Sequence, residues 1–401
     1  MAPIFRMHDE GKAGADMKKR ILHYLILVVV LLGLPAFFAW VGGYDEIWEG
    51  VKSFPPRTED WGFHPEKLWN HRHPFSWPWF LVYAAFTGVC MFPLVRRAAR
   101  AVRSDDGRRM ARVHGGRFPW WGWLGGVLIA VFWYLSWNRF AWARDIQPHI
   151  SYMPLWAGYI LVMNALCEKR SGTSPMTRHP LPYLATFPAS SLFWWFFEYL
   201  NRYTWNWWYQ GIGHMGAGEY TFYATICFSS VLPAVVATAA WLHTFPAFRD
   251  QGFEGMARVD FRSWPVVSIL LGVSALGLSG LVFFPQYSCP LLWMSPLAVF
   301  LLVQTLLRER SAFDCLERGN WAMPWRFAVA ALICGLAWET WNWGAVAKWI
   351  YSVPYVQRWQ IWEMPLIGFA GYLPFGWECA AVSAWIFPAL VEDGERGDVR
   401  I

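Results

Sequence analysis

Long apolar runs alternate with short polar segments along most of this chain. A helix needs roughly 17 to 25 mostly apolar residues to cross the hydrocarbon core of a bilayer. The pattern predicts ten such helices, at residues 21–42, 76–95, 118–137, 151–167, 181–201, 219–243, 264–285, 289–307, 325–345 and 364–390. We therefore expect an all-α integral membrane protein with about ten transmembrane helices.

The basic residues lie mainly on one side of these predicted helices. If the N-terminus is cytoplasmic, most of the 34 Lys and Arg residues fall in inner segments, including the Arg-rich loop 96–117. Inner loops of membrane proteins carry this excess of positive charge. We predict that both termini are cytoplasmic, that the protein lies in a bacterial inner membrane, and that membrane lipids are among its partners.

Composition supports this class and excludes others. The chain is 56% hydrophobic and only 15% charged, whereas a soluble domain carries about 25% charged residues. The net charge of +6 follows membrane topology, so we predict no nucleic-acid partner. The seven cysteines include no Cys-x-x-Cys pair, so neither a disulfide framework nor a zinc site is expected. His71 and His73 are a weak metal candidate, and we predict no metal and no cofactor.

A short motif occurs twice in the chain. Glu198 and Asn201 form a Glu-x-x-Asn pair, and Glu339 and Asn342 repeat it. This spacing places both members of a pair on one helix face. Each copy is followed by an aromatic-rich exit, so we predict a tandem duplication: two extra spans in 1–117, a four-span unit in 118–262 and a second in 263–401. Because four is even, the units should be parallel copies about an axis along the membrane normal.

Three carboxylates fall inside predicted spans and are the candidate catalytic residues: Glu198, Glu339 and Glu378. A charged side chain at the centre of a bilayer costs about 2.5–3.5 kcal/mol on insertion scales, so such a residue is a functional hypothesis by default. Other interpretations remain open. Glu198 could form an ion pair at the membrane surface with Arg202, four residues later, and Glu378 could make a structural hydrogen bond to a neighbouring helix.

The second unit is the better candidate for an active copy. Glu378 follows Pro374, which predicts a kink in the last span that could open a cavity. The corresponding stretch of the first unit, 231–235, is apolar and has no carboxylate. The first unit would then support the second.

Aromatic and amide side chains surround the acidic positions in sequence. The chain contains 31 tryptophans, and indole faces stabilise cations by about 2 kcal/mol or more when desolvated. An acid beside such walls suits protonation of an alkene and rearrangement of the carbocation, although a quinone or a cationic amphiphile would also fit. The candidate substrate-binding residues are Asn342, Asn201, Trp338, Trp349, Tyr351, Glu363 and Trp377.

Residues 338–381 resemble the membrane-integral lycopene cyclase family, in its heterodimeric or fused form. In that family a Trp-Asp pair precedes Trp-x-Tyr-x-x-Pro, and Pro-x-Glu-Glu follows. This chain has Trp338-Glu339, then Trp349-Ile350-Tyr351-Ser352-Val353-Pro354, then Pro374-Phe375-Gly376-Trp377-Glu378. Glu339 replaces the Asp, and the Glu pair is reduced to Glu378. The resemblance implies acid-catalysed cyclisation or isomerisation of a polyisoprenoid without redox change, with Glu339 and Glu378 handling the proton.

These observations lead to three hypotheses. The first is a membrane protein that binds a hydrophobic isoprenoid or polyene between its helices, with lycopene-cyclase-like activity. The second is a proton-coupled transporter in which the two units move about the buried acids. The third is a non-catalytic subunit of a membrane complex.

Overall fold

The computed structural model describes residues 18–19, 21–43, 73–104, 116–138, 140–143, 146–150, 152–212 and 215–392. His71, and with it the candidate metal pair, lies outside these residues, as does half of the Arg-rich loop, residues 105–115. Helices dominate the described residues. The long ones are α1 (Ile21–Gly42, with a π-helical turn at Val29–Gly33), α2 (Trp77–Arg103), α3 (Trp120–Trp137), α4 (Tyr152–Ser171), α5 (Pro180–Thr204), α6 (Ala217–Phe228), α7 (Val231–His243), α8 (Trp264–Phe283), α9 (Ser295–Leu307), α10 (Ala322–Gly344) and α11 (Tyr372–Ile386).

Short elements connect these helices. The four strands are β1 (Trp207–Gln210), β2 (Lys348–Tyr351), β3 (Gln360–Ile361) and β4 (Met364–Pro365), and they form two separate two-stranded antiparallel ribbons, β1–β2 and β3–β4. The short helical turns are Ala141–Ala143, Gln147–Ile150, Pro175–Arg178, Pro246–Phe248, Asp250–Gly252, Pro285–Ser288, Cys289–Trp293, Ala312–Arg318, Leu366–Gly371 and Ala389–Glu392.

Five helical segments are long and apolar enough to cross a membrane: Ile21–Gly42, Trp77–Arg103, Gln147–Ser171, Ala217–His243 and Trp264–Phe283. A sixth is possible if Pro285–Trp293 and Ser295–Leu307, which meet at 53°, form one broken span. The chain is therefore an all-α protein with membrane-type helices. Helices also lie in the other four predicted segments, as α3, α5, α10 and α11, but they do not meet this test. The number of ten spans stays a prediction.

The core lies where α5, α7, α10 and α11 pack together. Gly376 of α11 allows its closest approach, because a Cβ atom there would lie 2.2 Å from the carbonyl oxygen of Phe327 on α10. A similar contact joins α3 to α4, where a Cβ on Gly158 would lie 2.6 Å from the carbonyl oxygen of Gly125. Small residues of this kind let membrane helices approach closely.

The predicted last span differs from the observed structure. Residues 364–371 form a strand and a 3₁₀ turn, and the helix begins only at Tyr372. Pro374 lies in the first turn of α11, where its missing N–H has no intrahelical partner to lose. The predicted kink at Pro374 is therefore wrong. A sharp bend occurs instead between Trp293 and Ser295, in the eighth predicted span.

Candidate functional site

The two Glu-x-x-Asn segments end at a shared β ribbon. Helix α5 carries Glu198 and Asn201 and is followed by β1, while α10 carries Glu339 and Asn342 and is followed by β2. Strands β1 and β2 pair antiparallel over four residues each. Two segments that lie far apart in sequence thus meet at one place, Trp207–Gln210 with Lys348–Tyr351. We call it the outer ribbon after the side of the membrane that the sequence predicts for it.

Each asparagine holds the start of its own strand. The Asn201 carboxamide donates to the carbonyl oxygen of Trp207 at 2.7 Å and accepts from the Trp207 N–H at 3.3 Å. Asn342 donates to the carbonyl oxygen of Trp349 at 2.8 Å and accepts from its N–H at 2.9 Å. Both asparagines are buried. Both asparagines therefore bind the backbone of the strand that follows them. A substrate bound by Asn201 and Asn342 would have to compete for the same carboxamide atoms.

Glu198 lies among hydrogen-bond donors. Its Oε1 accepts from Trp194 Nε1 at 3.1 Å and from Trp207 Nε1 at 3.0 Å. The Tyr209 hydroxyl donates to the same oxygen. The buried guanidinium of Arg202, one helical turn along α5, acts electrostatically on this carboxylate. These contacts tie the outer ribbon to α5 through the Glu198 carboxyl group.

Glu339 is held differently. Its Oε1 accepts from the Tyr351 hydroxyl and from the Tyr372 hydroxyl, each at 2.7 Å. Trp349 Nε1 donates to the Tyr351 hydroxyl oxygen at 2.8 Å, which completes a chain of donors. Gly335 makes room for Tyr372, since a Cβ there would lie 2.5 Å from the tyrosine ring. The other oxygen, Oε2, is buried and has no hydrogen-bond partner among the described residues.

The two acids differ in nearby positive charge. The residue four positions after Glu339 is Trp343, which is half exposed, where the first copy has Arg202. The nearest basic residue in sequence, Lys348, makes an ion pair with Glu363 at 2.6 Å. Glu363 thus binds a lysine in this structure. On the outer ribbon, burial and the Glu339 charge raise the pKa of the Tyr351 hydroxyl well above its usual value, so this hydroxyl is a donor at neutral pH.

Trp338 lies against this site, and Trp377 does not. The Trp338 indole stacks on the Tyr372 ring with centroids 6.1 Å apart, and its backbone carbonyl accepts from the Tyr152 hydroxyl at 3.2 Å. Trp377 Nε1 donates to the carbonyl oxygen of Pro324 at 2.8 Å, at the start of α10. We call Glu339, Tyr351, Tyr372, Trp349 and Trp338 the Glu339 cluster.

Glu378 lies apart from the Glu339 cluster. Two residues before it, Gly376 contacts the backbone of Phe327. Phe327 precedes Glu339 by twelve residues on α10, which is about 18 Å along a helix at 1.5 Å per residue. The structure therefore does not bring the two acids into one site. Glu378 is 2% exposed, and neither of its oxygens has a hydrogen-bond partner among the described residues.

Sequence reasoning missed several members of the site. Tyr209 could have been found, because Trp207-x-Tyr209 repeats the spacing of Trp349-x-Tyr351. Tyr372 carries no such signal, since it lies 33 residues from Glu339 and reaches it only through the packing of α11 on α10. Tyr152 comes from α4 and has no signal in the sequence either.

An open groove of about 480 Å³ lies along α6, lined by Ala217, Gly218, Thr221, Phe222, Thr225 and Ile226. None of the candidate acids lines it. Among the described residues, no group of three or more His, Cys, Asp or Glu side chains is arranged to hold a metal ion.

Comparison with known proteins gives no relative for this chain. No family model, no curated protein and no solved structure matches it.

Proposed function

We propose that the chain has ten membrane spans and that its two four-span units, 118–262 and 263–401, are copies related by a pseudo-two-fold axis. The register of the outer ribbon supports this. Trp207 pairs with Tyr351, and Tyr209 pairs with Trp349. Exchanging the equivalent residues Trp207 with Trp349, and Tyr209 with Tyr351, returns the same two pairs. Antiparallel strands that pair in this way are related by an axis perpendicular to their ribbon.

Contacts between the halves support the same axis. The residue before each acid packs against a tryptophan of the other half. Trp338 packs against Trp156 with ring centroids 4.8 Å apart, and Phe197 packs against Trp293 at 5.1 Å. If this axis runs along the membrane normal, the outer ribbon is parallel to the membrane plane and covers the ends of α5 and α10. With cytoplasmic termini, in a bacterial inner membrane, this is the outer face.

We propose that the second copy is the working site and that it binds a hydrophobic isoprenoid or polyene. The observation that carries this proposal is the state of Glu339: two tyrosine hydroxyls fix one oxygen, while the other is buried with no partner. A buried carboxylate without a cation close by is costly, and a proton on Oε2 removes that cost. Glu198, with Arg202 nearby, is the structural counterpart.

The chemistry that fits a buried acid in an aromatic site is isomerisation by proton transfer. Glu339 Oε2–H donates its proton to a carbon of a terminal alkene, and the π electrons form the new C–H bond. A neighbouring double bond attacks the resulting carbocation and closes a ring through a new C–C bond. The ring cation then loses a proton to the carboxylate, so no oxidant is needed. The faces of Trp338 and Tyr372 can stabilise the cation.

Expression in a lycopene-accumulating host tests this proposal. The wild type should convert lycopene to an isomer of equal mass with cyclic ends, separable by chromatography. Glu339→Gln should lower this conversion at least 100-fold, because the acid is lost while Oε1 can still accept both tyrosine hydroxyls. Thr340→Ala is the matched control, since Thr340 is half-buried and its hydroxyl donates to the Leu336 carbonyl of its own helix. Lycopene alone with the wild type, at normal protein levels, would rule out the cyclase.

A proton-coupled transporter is the second candidate, favoured by the broken span. The segments Pro285–Trp293 and Ser295–Leu307 meet at 53°, and broken helices mark substrate sites in many transporters. Uptake of the transported substrate into proteoliposomes should then depend on a pH gradient.

A third candidate, a subunit of a membrane complex, rests on the exposed apolar sides of α1 and α2. It requires a partner that copurifies.

A further inference from the structure

Glu378 is the least compensated acid of the described residues. It lies in the second turn of α11 and is 2% exposed. Both of its carboxyl oxygens are buried without a hydrogen-bond partner, whereas Glu198 and Glu339 each have one oxygen held by donors. Burying a carboxyl group in this way costs free energy unless a bound ion, a proton or a group that moves into contact compensates for the lost hydration.

The start of α9 lies beside this carboxyl group. Ser295, Pro296 and Leu297 form the first turn of α9. Pro296 has no N–H, and the N–H groups of Ser295 and Leu297 have no acceptor within the helix. Helix α9 packs against α11, and the Leu297 N–H points toward the Glu378 carboxyl group without the geometry of a full hydrogen bond. The amino-terminal end of a helix carries a partial positive charge that favours an anion nearby. This helix end exists because the segment breaks at Met294, with a 53° bend.

Among the described residues, no cationic side chain acts on Glu378. The titratable group beside it is the Cys379 thiol, which in turn faces Cys334 of α10. The ionisable groups on other elements that pack against α11 are engaged elsewhere. His23 of α1 contacts Trp385 of α11 and pairs with Glu309 at 2.6 Å. Arg326 of α10 donates to the carbonyl oxygen of Val391 at 3.3 Å, and Asp314 accepts from the Ser311 N–H at 3.2 Å. Glu198, Arg202 and Glu339 belong to the ribbon ends of α5 and α10, and His243 ends α7.

We propose that Glu378 and the amino-terminal end of α9 form a proton-binding site that exchanges its proton with solvent. The site does not depend on the cyclase chemistry proposed at Glu339, and it deepens the transporter alternative by naming the proton-binding residue. When the Leu297 N–H approaches the carboxyl group, it favours the carboxylate. When the two half-helices straighten and the N–H withdraws, the carboxylic acid is favoured. Uptake and release of one proton are thereby linked to the bend.

Infrared difference spectroscopy on the full-length protein in lipid tests this site. The probe is the proton itself, detected by the C=O stretch of a buried carboxylic acid. The wild type should show such a band, which should shift in D₂O because the acid proton exchanges, and which should disappear as the pH is raised. Glu378→Gln should remove the band, and Glu378→Asp should move it. Thr340→Ala is the matched control and should keep it.

The outcomes distinguish the possibilities. No band assignable to residue 378 at any pH between about 4 and 10 would mean that Glu378 stays ionised and would overturn the proposal. A band that shows no shift after equilibration in D₂O would mean a permanently locked proton and would overturn it as well. If Glu378→Gln does not fold, the shift of the band in Glu378→Asp decides the assignment. Loss of lycopene conversion in Glu339→Gln leaves this band in place, so the two proposals can fail separately.

Discussion

Tyr209 pairs with Trp349 across the outer ribbon. Its equivalent, Tyr351, pairs with Trp207 in the same register. Tyr209 donates to Glu198, and Tyr351 donates to Glu339. Each acid therefore binds a strand that is itself paired with the strand of the other half. The outer ribbon therefore connects the two acidic sites through its backbone.

Replacing Asn342 by Ala should loosen the outer ribbon. The substitution removes one donor and one acceptor to Trp349 and leaves buried backbone groups unpaired, which costs about 1–3 kcal/mol for each such group. We expect a lower melting temperature in detergent and faster hydrogen exchange at the Trp349 amide. The matched control is Thr340→Ala, on the same helix. Unchanged exchange at Trp349 would show that Asn342 does not hold β2.

Introducing a cation beside Glu339 should inactivate the second site. Trp343 stands four residues after Glu339, as Arg202 stands after Glu198, and it is half exposed. Residues at this spacing face each other on a helix, so Trp343→Arg should pair with the carboxylate and keep it ionised. Conversion of lycopene should fall at least 10-fold. Trp343→Gln, which adds no charge, is the control; equal activity of the two variants would argue against an acid at Glu339.

Gly376→Ala should destabilise the packing of α11 on α10. The new methyl group would lie 2.2 Å from the carbonyl oxygen of Phe327, which is backbone and cannot rotate away. Overpacking of this kind costs about 1–3 kcal/mol. Gly272→Ala on α8 is the matched control, because a Cβ there meets nothing within 4 Å. Thermal unfolding in detergent should separate the two variants, and equal melting temperatures would mean that this contact is looser than described.

Introduced cysteines should report the ten-span topology. Thr173 and Arg310 lie in predicted inner loops, and Gln360 lies in the predicted outer segment after β2; all three are exposed. In a background without native cysteines, a membrane-impermeant maleimide should label Gln360→Cys in intact cells. It should label Thr173→Cys and Arg310→Cys only after permeabilisation. Labelling of all three in intact cells would contradict the predicted number of spans between them.

The sequence predicts the local features of this site better than its assembly. The Glu-x-x-Asn spacing and the Trp-x-Tyr exits are visible in the chain, and helices lie where the apolar runs predict them. The pairing of β1 with β2 could not be predicted, because it joins segments about 140 residues apart. Tyr372 reaches Glu339 through the packing of α11 on α10, for which Gly335 leaves room.

The expected kink at Pro374 was wrong for a similar reason. Proline bends a helix where its position would otherwise donate an intrahelical hydrogen bond, which is beyond the first turn. Whether Pro374 does so therefore depends on the residue at which the helix begins. That position is set by the 3₁₀ turn Leu366–Gly371, which no periodic pattern in the sequence indicates.

The central claim is that a hydrophobic isoprenoid binds at the Glu339 cluster. Photo-crosslinking with a diazirine-bearing polyprenyl probe, followed by peptide mass spectrometry, tests it most directly. We predict crosslinks on α10 and α11, near Trp338 and Tyr372, that an excess of unlabelled polyene abolishes. Crosslinks confined to the lipid-exposed helices α1, α2 and α8, with none near Trp338 or Tyr372, would contradict the claim.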